Sequence, residues 1–102
     1  MSRVKKISLN GQGPSTLFRE TMKTLRSGYV SLNKDQEVGQ HTTAEYEEML
    51  LFLEGRGKVI TESEEHPVEA QSVVYIPPFT EHNVVATSPR LRYVYVVSPA
   101  KV

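Results

Sequence analysis

The sequence has 102 residues, with twelve basic and twelve acidic side chains and no cysteine. A chain of this length can bury one hydrophobic core, so we expect a single domain over residues 1–102. The balanced charge argues against nucleic acid or an anionic membrane as a partner. Without cysteine there is no disulfide scaffold, thiolate zinc site or cysteine nucleophile, and histidine and carboxylate are the strong metal ligands left. No segment approaches the roughly 20 apolar residues of a membrane span, and we expect a cytosolic protein.

The first part of the chain is the hardest to assign. Residues 1–9 alternate charged and apolar side chains, which predicts a short edge strand. Residues 15–27 are ambiguous, because Phe18, Met22 and Leu25 have helical spacing while three threonines in the same segment prefer strands. We favour strands here, and we interpret the basic residues of the segment as a solvated face.

The rest of the chain predicts short strands separated by turns. Strands are expected at residues 28–32, 49–53, 58–61, 73–76, 83–86 and 91–97. Residues 54–57 are interpreted as a hairpin turn, and residues 62–67 as an acidic, solvated loop in which His66 is exposed. Many short strands with no confident helix indicate an all-β sandwich or barrel.

The run Tyr-Val-Tyr-Val-Val at residues 93–97 is apolar on both faces. A strand with two apolar faces is normally covered on both sides. We expect the second sheet to cover one face and a partner subunit the other, which predicts a homodimer.

Residues 39–55, GQHTTAEYEEMLLFLEG, are the chemically most informative stretch. His41 and a group of three glutamates lead into an aliphatic strand that a glycine-bearing turn ends. Imidazole and carboxylate groups gathered at the mouth of a buried strand can form a divalent-metal site, and His82 is the natural third partner.

These residues resemble the motifs of the cupin family, G-x5-H-x-H-x3,4-E-x6-G and G-x5-P-x-G-x2-H-x3-N. His41 and Glu48 match the first motif together with Gly55, and Pro77 and His82 match the second. The resemblance covers residues 28–97. It implies a double-stranded β-helix, or jelly roll, with metal ligands that point into the barrel.

Five motif positions depart from the family pattern. They fall on Thr43 for the second histidine, Asp35, Gln71 and Phe79 for three glycines, and Ala86 for the closing asparagine. A threonine hydroxyl is a much poorer ligand than imidazole, so we predict three ligands, His41, Glu48 and His82. Glu45 is the alternative that could replace the missing histidine as an oxygen ligand.

The residues support this site without the family. Glu48, Leu50 and Phe52 share one face of a strand, which places a carboxylate above two large apolar groups. A buried carboxylate needs a metal or a cationic partner. Two histidines and one carboxylate form the facial-triad composition of non-haem iron sites, although manganese, nickel and zinc also bind such sets.

Three functions are compatible with this pattern. The first is a metal-dependent enzyme, of dioxygenase type if the metal is iron, that acts on a small oxygen-bearing molecule with Glu45 or Glu47 as the base. The second is a non-catalytic barrel that binds a carbohydrate-like or apolar molecule in a pocket lined by Leu50, Phe52 and Phe79. A metal-independent isomerase with His82 as base is the third.

Overall fold

The computed structural model describes residues 5–9, 16–19 and 21–100, and these residues form nine strands. The strands are β1 (Thr16–Leu17), β2 (Arg26–Asn33), β3 (His41–Thr42), β4 (Tyr46–Glu54), β5 (Arg56–Thr61), β6 (Glu65–Glu69), β7 (Val73–Ile76), β8 (Glu81–Ala86) and β9 (Arg90–Pro99). This part of the chain holds no helix, and therefore none that is long and apolar enough to cross a membrane.

The strands form two antiparallel sheets. One has the order β1-β2-β9-β4-β7 and the other the order β3-β8-β5-β6. Consecutive strands from β2 to β9 often lie in different sheets, so the two halves of the chain wind around a shared interior. This is the jelly-roll barrel predicted from the sequence.

Alternation along the strands places the core between the sheets. In β4, Leu50 and Phe52 are buried while Met49 and Leu53 are exposed, which is the period-two pattern of a strand with one face inward. The buried cluster comprises Leu32, Leu50, Phe52, Val59, Val68, Ile76, Val84, Ala86, Leu91 and Tyr93. Each large side chain in it contributes about 1.5–3 kcal/mol relative to an exposed position.

The predicted hairpin turn at residues 54–57 is wrong. Only Gly55 separates β4 from β5, and these two strands belong to different sheets, so the chain turns a corner of the barrel. Gly55 has a φ of 87°, and a β-carbon there would overlap the carbonyl oxygen of Arg90. Only glycine fits this corner without a shift of the backbone.

The acidic loop predicted at residues 62–67 is shorter than expected. Strand β6 begins at Glu65 and pairs with β5, with His66 opposite Val59. Charged residues and Pro67 suggested a loop, but β6 is the edge strand of its sheet, where proline and charge are tolerated. His66 is exposed, as predicted.

The N-terminal predictions are partly wrong. Residues 5–9 are not in a strand, and the remainder of the predicted 1–9 strand lies outside the described residues. No helix forms across the described part of 15–27, because Phe18 has a φ of 54° and its carbonyl accepts the N–H groups of Thr21 and Met22 in a turn. The strand preference holds for β1 and for the start of β2.

Candidate metal centre

The two histidines are brought together by a strand pair. His41 in β3 and His82 in β8 are direct register partners, and their ring centroids lie 4.1 Å apart with an interplanar angle of 59°. Directly opposed residues of an antiparallel pair have neighbouring side chains on the same face. The pairing of two short strands therefore converts distant histidines into one cluster.

Backbone carbonyls orient both imidazole rings. Nδ1 of His41 lies 2.9 Å from the Gly39 oxygen, and Nδ1 of His82 lies 3.0 Å from the Thr80 oxygen. Because a carbonyl only accepts, each Nδ1 is the protonated nitrogen, and each neutral ring presents the Nε2 lone pair. This outer arrangement is typical of metal-binding histidines.

Glu48 reaches the histidines from the opposite sheet. Its Oε1 lies 3.3 Å from Nε2 of His82, which is 2% exposed. That Nε2 is buried and makes no hydrogen bond. A buried polar atom without a partner is unfavourable, and a bound cation would satisfy it.

The three side chains fit a divalent metal. One ligand atom each from His41, Glu48 and His82 lie within 4.8 Å of one another. With metal–ligand bonds of about 2.0–2.2 Å, two ligands of one ion are at most about 4.4 Å apart, so these atoms would move closer together around an ion. This cluster is the one predicted from the sequence.

The environment of His82 raises the pKa of its imidazole. Burial by itself lowers the pKa of His82, but the Glu48 carboxylate 3.3 Å away and the Thr80 carbonyl outweigh it, so the pKa is raised. The buried Tyr93 also has a raised pKa, mainly because of burial and then because of the nearby Glu48 charge. Tyr93 is therefore a neutral hydroxyl at physiological pH.

Thr43 stands where the family motif has a second histidine, and it has a structural contact instead. Its hydroxyl donates to the Pro77 carbonyl at 2.7 Å and accepts the Thr80 N–H at 3.0 Å. The side chain is buried and its hydrogen bonds hold the loop that carries Thr80 towards His82. Thr43 is thus engaged by the backbone and supports the metal cluster indirectly.

Three positions where the family motif has glycine carry other residues, and their backbone still has a positive φ. Asp35, Gln71 and Phe79 have φ values of 69°, 73° and 54°. These values lie in the left-handed region that glycine favours. These turns therefore have the backbone conformation that glycine favours, although none of the three residues is glycine.

A cavity of about 500 Å³ opens beside the metal cluster. Its wall is largely apolar and aromatic, and includes Val30, Leu50, Val84, Tyr93, Tyr95 and Val97. Leu50 lines it as predicted. Phe52 lies in the core and not on this wall, and the prediction for Phe79 is wrong because that ring is 75% exposed.

The two predicted bases are not at this cavity. Glu45 is exposed, and Glu47 accepts a hydrogen bond from the Tyr75 hydroxyl at 2.9 Å on the outer face of the sheet. Neither residue belongs to the cavity wall. Their role as a base remains a prediction that these positions do not favour.

Sequence reasoning missed Arg26 and Tyr46. Both line the cavity, and Arg26 is also exposed, as its interpretation as part of a solvated face predicts. The available signal was strand parity, because Arg26 is in phase with the inward-facing Val30 and Leu32 of β2. Their proximity on the inner face could not be deduced before the order of strands was known.

Fold and site together define a small jelly-roll barrel with a candidate His-Glu-His metal centre. Residues 28–98 match the family model of the cupin domain, and the chain belongs to the cupin family. Comparison with curated protein sequences finds no match.

Several solved structures are similar to this chain. A cupin protein from Bacteroides fragilis is 18% identical with a TM-score of 0.86, over 98% of this chain and 87% of that one. A cupin 2 conserved barrel domain protein from Salinispora arenicola is 25% identical (TM-score 0.69; 76% and 66% covered). A predicted oxalate decarboxylase from Thermotoga maritima is 20% identical (TM-score 0.69; 72% and 65% covered). At these identities the similarities establish the fold.

Proposed function

We propose that this cupin binds one divalent metal through His41, Glu48 and His82, and that the adjoining cavity binds a small oxygen-bearing molecule. The observation that carries the proposal is the buried Nε2 of His82, which has no hydrogen-bond partner and lies 3.3 Å from the Glu48 carboxylate. Iron, manganese, nickel and zinc all accept this ligand set.

The protein side of the centre supports such chemistry. Carbonyls of Gly39 and Thr80 hold the imidazoles with Nε2 free, and the cavity beside the cluster has a largely apolar wall. A metal bound by three protein ligands acts as a Lewis acid and as a template for a chelating molecule. With iron, the composition favours a dioxygenase-type reaction on an enol or catechol-like substrate.

A non-catalytic binding barrel is the second candidate, and one observation favours it. Among the described residues, Glu48 is the sole carboxylate and His41 and His82 are the sole histidines that line the cavity. A bound metal would occupy all three. The cavity would then hold no free carboxylate or imidazole for proton transfer, which suits binding better than catalysis.

Elemental analysis of the protein purified without added metal or chelator tests the metal proposal. We expect about one metal ion per chain in the wild type and in His66→Ala, whose histidine is exposed, and loss of the metal in His82→Ala. Absence of metal from the wild type, even after incubation with each of the four ions, would refute the proposal.

Oxygen consumption then separates the two candidates. Iron-loaded protein that consumes oxygen with a panel of small enols and catechols supports the enzyme. Tight binding of these molecules without turnover supports the binding barrel.

We further propose a cytosolic homodimer formed through the outer face of the five-stranded sheet. Met49 and Tyr75 are register partners on this face, and Val73 and Tyr75 are 60% and 59% exposed. Exposed apolar groups on adjacent strands are typical of an interface. Sedimentation velocity should give a dimer for the wild type and a monomer for Val73→Glu, and cell fractionation tests the location.

A further inference from the structure

We propose that the molecule bound in the cavity is a small carboxylic acid, and that Arg26 binds its carboxylate while the metal centre binds oxygens at its other end. This inference rests on the proposed function, because it assigns a substrate class to the same site. It depends on the position, restraint and charge of Arg26.

Arg26 lies in the same inward-facing row as the metal ligand Glu48. The register pairs Arg26 with Val97 and Val97 with Glu48, so β9 alone separates the two residues. Neighbouring strands are about 4.8 Å apart, which places the two backbones roughly 10 Å from each other. A cation and a metal ligand therefore lie across a short gap on one wall of the cavity.

The guanidinium of Arg26 extends across this gap. Its central carbon lies 4.5 Å from the centroid of the Tyr46 ring. Tyr46 is two residues before Glu48 on β4, a separation of about 6–7 Å along a strand. Stacking on the ring restrains the long side chain and leaves its N–H groups directed outward in the plane of the guanidinium.

The charge of Arg26 is not compensated by the part of the protein that the structure describes. Arg92 and Lys58 pair there with Glu54 and Glu65, whereas Arg26 has no ion pair. Within the same part of the chain, Arg26 and Glu48 are the charged groups of the cavity wall when the histidines are neutral. Because Glu48 is committed to the metal, the Arg26 charge remains for a ligand.

A carboxylate matches this arrangement. One guanidinium forms two parallel hydrogen bonds to one carboxylate, and the single charges cancel. A phosphate monoester carries up to two charges, of which this guanidinium would balance only one. The aromatic and aliphatic wall of the cavity suits an unsaturated or aromatic body between the carboxylate and the chelating oxygens.

Catechol and 3,4-dihydroxybenzoate form a matched pair of probes for this inference. Both offer the same chelating oxygens, and the second adds a carboxylate on the far side of the ring. Calorimetric titration of zinc-loaded protein at pH 7.5 would measure both dissociation constants in the wild type and in Arg26→Met. Arg56→Met, at an exposed position that does not line the cavity, is the control for a change of net charge.

We expect the wild type and Arg56→Met to bind 3,4-dihydroxybenzoate about 10- to 100-fold more tightly than catechol, and Arg26→Met to lose this preference. Arg26→Lys should keep part of it, because it retains the charge without the planar fork. The comparison across variants removes the intrinsic difference between the two chelators.

The titrations distinguish failure of the carboxylate inference from failure of the proposed small-molecule site. Equal affinity of the wild type for the two probes, or a preference that persists in Arg26→Met, overturns the carboxylate inference and leaves the metal site standing. If zinc-loaded wild type binds neither probe, both this inference and the proposed small-molecule site fail.

Discussion

Nε2 of His82 and Oε1 of Glu48 lie 3.3 Å apart although the two residues belong to opposite sheets of the barrel. Glu48 is on β4 of the five-stranded sheet, and His82 is on β8 of the four-stranded sheet. A metal held by both residues would join the two sheets directly. Metal binding should therefore stabilise the folded protein as well as complete the site.

Removal of the Glu48 charge tests its assignment as a ligand. Glu48→Gln retains the shape of the side chain, and we expect it to weaken zinc binding by at least about 100-fold, because changes even in groups that only orient ligands weaken binding by about 10- to 100-fold. Competition with a chelating dye measures the affinity. Glu47→Gln is the matched control, since the Glu47 carboxylate bonds Tyr75 on the outer face. Equal losses in the two variants would contradict the assignment.

The stability of the protein should depend on pH in opposite ways with and without metal. His82 has a raised pKa in the folded state, so its favourable protonation is fully present below the unfolded value of about 6.5 and is lost as pH rises through the folded pKa. Metal-free protein should therefore lose stability as pH increases across this window.

Bound metal reverses the sign of this dependence. The ion requires unprotonated Nε2 atoms, so its affinity and the stability it confers should increase with pH over the same range. Thermal unfolding in chelator and in excess zinc, between about pH 5.5 and 8.5, measures both slopes. Parallel slopes would be inconsistent with a metal on His82. In chelator, Glu48→Gln should flatten the slope because it removes a main cause of the raised pKa.

Replacement of Thr43 by valine should destabilise the protein by about 1–3 kcal/mol. The change removes the hydroxyl that donates to the Pro77 carbonyl and accepts the Thr80 N–H, and leaves both groups without this partner. Urea unfolding measures the loss. Thr87→Val, at an exposed position, should change the free energy of unfolding by less than about 0.5 kcal/mol. Metal stoichiometry in excess zinc should be unchanged in both, and its loss in Thr43→Val alone would show that the metal cluster cannot form without the contacts of Thr43.

The substitution Phe79→Gly should stabilise the folded protein. Phe79 has a φ of 54° and is 75% exposed, so its ring contributes little packing while its backbone is strained. Relief of about 1–2 kcal/mol of strain exceeds the entropy loss of glycine, for a net gain of up to about 1 kcal/mol. Phe79→Ala retains the strain and should show no gain in urea unfolding. An equal gain in both variants would place the cause in the side chain.

The sequence by itself predicted the all-β fold class and the three residues of the candidate metal cluster. Alternating apolar residues and frequent turns specify short strands, and the parity of Glu48 with Leu50 and Phe52 makes the glutamate face inward wherever β4 lies. The spacing to Gly55, which matches the cupin motif that the chain resembles, then favours Glu48 over its neighbours. The strand pattern and the parity of Glu48 need only local geometry, whereas the grouping of His41 and His82 with Glu48 depends on the resemblance to cupins.

Only the tertiary structure decided which sheet each strand joins and what faces the cavity. The corner at Gly55 has the same local composition as a hairpin turn. The sequence of β6 resembles that of a loop, and only its pairing with β5 shows that it is a strand. Arg26 approaches Glu48 because β9 lies between their strands, and Thr43 bonds a loop that is distant in the chain. Such contacts depend on strand order, which arises from packing of the whole chain and is not encoded in any local pattern.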